Sequence, residues 1–408
     1  MTSARRFADF FGLKKSIVAL LGMVILVGMG ERMAERFIPL YIIALGGGAI
    51  IIGLLNGLTN LLGALYSFPG GYLSDRYGTK KALLIFNLLA MSGFVLVILV
   101  PSIWAVIAGA FFFLCWSAIS LPAVMNLVAK VLPQNKRTMG VSMHSLVRRI
   151  PMALGPLIGG IFIDTWGVRT GVRLAFCAAL VMAIIGTIMQ QVMIRDAAAV
   201  KAADHQAEKN PFRLFKDMSP SLRNLLVSDI LIRFCEQIPY AFVVVWATEV
   251  ISHPVTAFQF GVLTSVEMAT AVLCYIPVAY WADKTQKKPF VTITFVFFTL
   301  FPLMLLYTQS FWPLVAVFFL RGLKEFGEPT RKALIMDLAP SGKEARMFGL
   351  YYLMRDSVVS LAAFGGGFLW KISPSTNLLA AFGFGVIGTI WFAFRGQEIV
   401  IPPKPATA

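Results

Sequence analysis

Charge is scarce in this chain. Asp, Glu, Lys and Arg make up 14% of its 408 residues, against about 25% in a soluble domain. Acids are the scarcer sign, with 20 Asp and Glu beside 36 Lys and Arg. Hydrophobic residues fill 58% of the chain and mean hydropathy is +0.77, a balance that excludes an ordinary water-soluble globule. Cysteine is nearly absent too. Cys115, Cys177, Cys235 and Cys274 form no CxxC pair, which excludes a disulfide framework and leaves them as small apolar packers. The three histidines, His144, His205 and His253, show no metal-ligand spacing, so no metal or other cofactor is expected. No GxxxxGK[ST] loop is present, and no nucleophile, base and orienter stand in a recognisable motif. Neither nucleotide hydrolysis nor any other enzyme activity is expected.

Apolar runs of bilayer length fill the space that charge leaves. Twelve are read, at 16–45, 50–73, 81–100, 103–130, 138–163, 171–194, 224–251, 257–282, 289–308, 311–338, 344–370 and 376–395. Runs near 28 residues exceed a perpendicular crossing and imply tilt or extension past the lipid. The first run is too long for a signal peptide and lacks a small-residue cleavage site, so it is expected to stay as a span. The expected fold is an all-α membrane protein of twelve transmembrane helices.

The basic residues are sorted by side. Segments in and beside alternate loops, with both termini, hold 25 of the 36 Lys and Arg. The opposite loops hold three: Arg169, Arg173 and Lys371. That asymmetry places both termini in the cytoplasm and the protein in the cell membrane. The basic surface is expected to face anionic lipid, and no nucleic-acid partner is expected.

One long polar segment, 195–223, divides the chain. The expected organisation is an N-terminal six-helix bundle at 1–194, a cytoplasmic linker at 195–223, a C-terminal six-helix bundle at 224–395 and a tail at 396–408. The bundles echo each other. "YLSDRYGTKK" pairs with "YWADKTQKKP", aligning Asp75 with Asp283 at an offset of 208. Pro122 and Pro133 align with Pro329 and Pro340 at 207. Arg149, Gly159 and Gly160 align with Arg355, Gly365 and Gly366 at 206. Duplicated halves around a midplane site are common among secondary transporters.

"GGYLSDRYGTKKAL", residues 70–83, resembles the loop signature of the major facilitator superfamily, G-x-L-x-D-R-x-G-x-K-K-x-L. Gly71, Leu73, Asp75, Arg76, Gly78, Lys80, Lys81 and Leu83 occupy the pattern, while Thr79 replaces a usual base. The resemblance covers the whole chain. It implies two pseudo-symmetric six-helix bundles, and a latch at this loop in which Asp75 is placed to cap a neighbouring helix. "RRIPMALGPLIGG" is similar to the end of the family's antiporter motif, but Ser142 and Pro151 replace earlier glycines. Close packing with a proline bend accounts for the same residues. The fourth span lacks the family's frequent proton-linked Arg, and an R-G-x-x-x-x-G pattern stands instead at Arg321-Gly322 and Gly327.

Several spans nevertheless carry charge at mid-depth. "GMGERMAERFIPLYIIAL", residues 28–45, holds Glu31, Arg32, Glu35 and Arg36. Such a charge costs roughly 2.5–3.5 kcal/mol on insertion scales unless it faces partners or water. At about 100° per residue the four share one helical face. The seventh span has Asp229, Arg233, Glu236 and Gln237, then Ile238-Pro239, echoing Ile38-Pro39. Arg321, Lys324, Glu325 and Glu328 follow helical spacing in the tenth. Arg148, Arg149, Glu267, Arg355 and Asp356 add further charges. The resemblance implies that spans 1, 4, 7 and 10 line a central cavity.

The substrate contacts expected there are Arg32, Arg36, Arg149, Arg233, Glu236 and Trp116. Proton carriers are expected among Glu31, Glu35, Glu236 and Glu267, carboxyls held away from bulk water. Asp75, Arg76, Asp283, Arg321, Glu325, Arg355 and Asp356 are the expected gating charges, with Arg321 and Glu325 as one pair and Arg355 and Asp356 as another. Structural ion pairing, with no substrate contact, is the alternative reading of any single one of these residues. An arginine-rich cavity suits a small anionic or zwitterionic solute. The expected activity is proton-coupled secondary transport by alternating access, from a monomer among membrane lipids. A multidrug or lipid-like proton antiporter, served by aromatics such as Phe113, Trp116, Phe234, Tyr240 and Trp246, and a non-transporting receptor or scaffold of the same fold are the alternatives.

Overall fold

A computed structural model describes residues 15–113, 147–193, 215–284, 286–340 and 344–398. Among the described residues there is no strand. The first half of the chain contributes α1 (Lys15–Glu35), α2 (Ile38–Ala44), α3 (Ala49–Tyr77), α4 (Thr79–Leu99), α5 (Ile103–Phe113) and α6 (Arg149–Met193). The second contributes α7 (Pro220–Tyr240), α8 (Val243–Val245) running into a π turn at Trp246–Val250, α9 (Ala257–Lys284), α10 (Lys287–Leu306), α11 (Phe311–Leu323), α12 (Glu328–Asp337), α13 (Glu344–Ile372) and α14 (Pro374–Arg395). Every expected apolar run falls on these elements, except that 114–130 and 138–146 lie outside the described residues. Among the described residues six helices, α3, α4, α6, α9, α10 and α14, are long and apolar enough to cross a bilayer, and α7 with its continuation, bent by 46°, makes a seventh. α6 counts once in that number although Gly167, with φ +75°, folds it back on itself.

The charged spans are broken rods. The first is interrupted at residues 36–37, the seventh at 241–242 and the tenth at 324–327. A proline sits at each break: Pro39, Pro239 and Pro329. Proline has no N–H to give and its ring collides with the carbonyl four residues back. At the third break the Gly327 N–H donates instead to Thr294 Oγ1 at 2.6 Å. The face expected to carry Arg321, Lys324, Glu325 and Glu328 on one regular helix is therefore split between the end of α11, a turn and the start of α12. Gly78, the signature glycine, joins α3 to α4 at φ +83°, a turn that L side chains resist.

The two halves of the chain meet through small residues at the end away from the termini. α3 lies on α13, and the first part of α6 lies on α9. A Cβ on Gly53 would stand 2.7 Å from the Gly367 nitrogen, and one on Gly160 would stand 2.5 Å from the Ala257 carbonyl. Packing also corrects the internal register. Gly159 abuts the Met33 carbonyl in the first span and Gly366 abuts the Ile238 carbonyl in the seventh. Gly160 abuts Ala257 at the start of α9 and Gly367 abuts Ala49 at the start of α3. The equivalent pairs are thus 159 with 366 and 160 with 367, at an offset of 207 rather than 206. A Cβ on Gly365 would meet no neighbouring element within 4 Å.

Polar groups finish this far end. Asp164 accepts from the Ala257 and Phe258 N–H groups at 2.9 Å each, capping α9 from the other half of the chain. Arg169 donates to the Ala44 carbonyl and Arg173 to that of Ile98, satisfying the ends of α2 and α4. Two of the three sparse far-side bases thereby close helix C-termini.

Candidate functional site

Below the glycine seal lies a cavity of about 360 Å³, between the two halves of the chain. Arg32 and Arg36 enter it from α1 and its break, Arg148, Arg149 and Met152 from the start of α6. Arg233, Glu236, Gln237 and Tyr240 enter from α7, Glu267 and Met268 from α9, and Lys324, Glu325, Glu328 and Lys332 from around the third break. Seven bases and four acids leave the described lining a formal excess of three positive charges.

Most of these charges are paired. Arg32 binds Glu35 at 2.5 Å, one turn away. Arg233 binds Glu236 at 2.5 Å and reaches Glu328 at 3.5 Å. Lys324 bridges Glu236 at 2.8 Å and Glu267 at 3.3 Å. Arg321 binds Glu267 at 3.3 Å rather than the expected Glu325. Glu325 is instead taken by Arg149 at 2.9 Å, across the halves. The Arg321 guanidinium also lies 4.8 Å from the Phe301 ring and 5.8 Å from that of Tyr240, and Arg321 itself is not part of the cavity lining.

Three groups stand apart. Arg36 has no carboxylate within ion-pair distance among the described residues, and its guanidinium lies 4.8 Å over the Tyr240 ring. Arg148 likewise forms no ion pair among the described residues. Glu31 is 4% exposed and makes neither a hydrogen bond nor an ion pair among them.

A second, smaller cavity of about 60 Å³ adjoins the first on the sealed side. Arg36, Tyr240 and Glu35 stand at its ionic side, and its walls are mainly Ile38, Pro39, Ile42, Ile52, Leu55, Val243, Val244 and Phe260. Asn56, Thr59 and Ala241 complete the described lining. Asn56 and Asn60 both donate to Gln237, through its carbonyl at 3.0 Å and its side-chain oxygen at 3.1 Å. These amides tie α3 to α7 beside the cavity, and nothing in their sequence pattern singled them out.

Behind the cavity sits a buried cluster. Asp229 accepts from Arg331, from Arg355 at 3.4 Å and from the Tyr351 hydroxyl at 3.0 Å. Arg331 belongs by sequence to the bases in and beside the alternate loops, yet it is 1% exposed and also grips Glu328 at 2.6 Å. Its acid partners on α7 and one turn back were the available signal. Arg355 pairs with Asp356 at 2.7 Å.

The structure therefore brings Arg32, Arg36, Arg149, Arg233, Glu236, Glu267 and Glu325 to one cavity, with Glu31 and Glu35 close by on the same helix. It does not bring Arg321, Arg355 or Asp356 to that lining. Arg76 is exposed beside Tyr77 at the terminal end of α3. Trp116 lies outside the described residues, as do the side chains of Asp75 and Asp283.

Comparison with known proteins agrees with this architecture. The sequence profile of the Major Facilitator Superfamily matches residues 20–251 and again 225–407. An MFS-type transporter of Methanocaldococcus jannaschii, MJ1317, is 23% identical over 90% of this chain and 91% of its own length. The multidrug resistance protein MdtH of Edwardsiella ictaluri is 22% identical over 99% of this chain and 97% of its own. Among solved structures, the nucleoside transporter NupG superposes with a TM-score of 0.81 over 94% of this chain and all of its own, at 12% identity. A peptide transporter POT in complex with sulfate gives 0.76 over 93% of each chain, at 15% identity.

Proposed function

The chain belongs to the Major Facilitator Superfamily, and on that premise we propose that it is a secondary active transporter of a small anionic or zwitterionic solute. The observation that carries this reading is the charge of the cavity. It holds three more bases than acids in its described lining, and Arg36 and Arg148 have no carboxylate partner among the described residues. A guanidinium offers paired donors that match a carboxylate or phosphate. Alternating access supplies the movement, with the two halves rocking about the cavity. The seal is at the end away from the termini, and the basic termini belong in the cytoplasm, so this conformation is inward-facing in a cell membrane. Glu31 is the proton carrier in this reading, because Glu236 and Glu267 are each already held by two cations.

The test is thermal stabilisation of the purified protein by small anions, amino acids, sugars and cationic drugs, followed by counterflow in proteoliposomes. Anions should stabilise it and exchange, and Arg36→Ala should lose both effects. Stabilisation by cationic drugs alone would overturn the reading. That outcome fits a second one, multidrug export, which the end-to-end similarity to MdtH favours. There Glu31→Gln should stop dye efflux while small anions fail to compete.

A further inference from the structure

We infer that the transported solute is an amphiphilic monoanion, its charged head on Arg36 and an apolar chain of about four to six carbons in the adjoining small cavity. This rests on the anion-transporter reading and narrows it. Arg36 and Tyr240 line both cavities and stand at their junction. One side of that junction is ionic and continuous with the large cavity. The other is walled by aliphatic side chains and Phe260. An anion paired with Arg36 keeps its head among the polar groups of the large cavity. A substituent directed the other way leaves water for an apolar wall, the direction that burial favours.

The dimensions set the chain length. A water-sized group needs about 10–15 Å³ by this measure, so 60 Å³ takes about four to six such groups. The charges set the valence. The described lining of the small cavity contains no cation except Arg36, and its other charged residue, Glu35, is an acid. A second anionic group at the far end of the chain would be buried without a partner, which is costly.

The probes are alkanesulfonates from methane- to octanesulfonate, which stay anionic at any working pH, with alkyl alcohols, alkylammonium ions and alkane-α,ω-disulfonates beside them. Binding is read by thermal shift on the full chain and by competition in counterflow. Apparent affinity should rise about threefold to fourfold per methylene up to four to six carbons and then level. Disulfonates of equal length should bind at least tenfold more weakly. Val244→Phe and Ala241→Leu, which fill the small cavity from different positions, should flatten the chain-length dependence, and Arg36→Gln should weaken every length. Short anions binding with no gain along the series would overturn the amphiphile inference and leave the anion reading standing. Alcohols or ammonium ions binding as well as sulfonates would overturn the role of Arg36 as anchor. If no anion binds at any length, the anion reading fails first and takes this one with it.

Discussion

Arg149 at the start of α6 and Glu325 in the break between α11 and α12 form an ion pair of 2.9 Å that crosses from one half of the chain to the other. Their side chains keep 17% and 22% of their exposure, so water and salt screen the pair. Its contribution to stability is about 0.5–1 kcal/mol. Arg149→Ala and Glu325→Ala should each lower Tm by no more than about 4 °C. Transport lost on reversing either charge should return in the double reversal Arg149→Glu with Glu325→Arg. If the two reversals damage transport additively, the pair is not a unit.

The Asp229 cluster should behave differently. Removing an acid shared by two buried arginines leaves each with one carboxylate, Glu328 for Arg331 and Asp356 for Arg355, and breaking such buried pairs costs about 3–5 kcal/mol. Tyr351→Phe deletes one neutral donor and should cost about 1 kcal/mol. Unfolding in mixed micelles with rising dodecyl sulfate ranks the two. Equal losses for Asp229→Ala and Tyr351→Phe would argue against a charge-centred cluster.

Gly53 and Gly160 should control the sealed end. A Cβ at either position meets backbone of the opposite half at 2.7 and 2.5 Å, and backbone cannot rotate away. Gly53→Val and Gly160→Val should force this end apart. A cysteine introduced at Asn56 should then react severalfold faster with an impermeant maleimide. Unchanged reactivity in both variants would mean that the seal is held elsewhere.

Asp164 offers a milder probe of the same end. It caps two N–H groups of α9, so Asp164→Ala should cost about 1 kcal/mol and Asp164→Asn less. Thermal unfolding of the two variants tests the order. A loss no smaller for Asn than for Ala would exclude capping as its role.

Fold and cavity were legible to different depths. Apolar run length, the sided distribution of Lys and Arg and "GGYLSDRYGTKK" carried the architecture, because lipid enforces length and charge one residue at a time. The paired Ile38-Pro39 and Ile238-Pro239 pointed at two broken spans, since a proline acts on its own helix. Partner choice was not legible. Arg321 was expected on Glu325 by spacing along one helix, but the break at 324–327 turns them apart and Glu267 on α9 stands nearer. Arg331 looked like a loop-margin base because its acid, Asp229, is 102 residues away. The glycine register slipped by one residue for a similar reason. A GG pair aligns with either half of a GGG triplet on sequence, and only the carbonyl each glycine touches distinguishes them.

The surplus of positive side chains in the cavity bears on the energetics of an empty carrier. In the proposed cycle the unloaded protein reorients with that fixed charge inside the lipid's electric field, where each elementary charge is worth about 2.3 kcal/mol per 100 mV. A bound monoanion cancels part of it. The empty return step should therefore respond to voltage more steeply than the loaded step, and transient currents on a solid-supported membrane should shrink as the anion saturates the site.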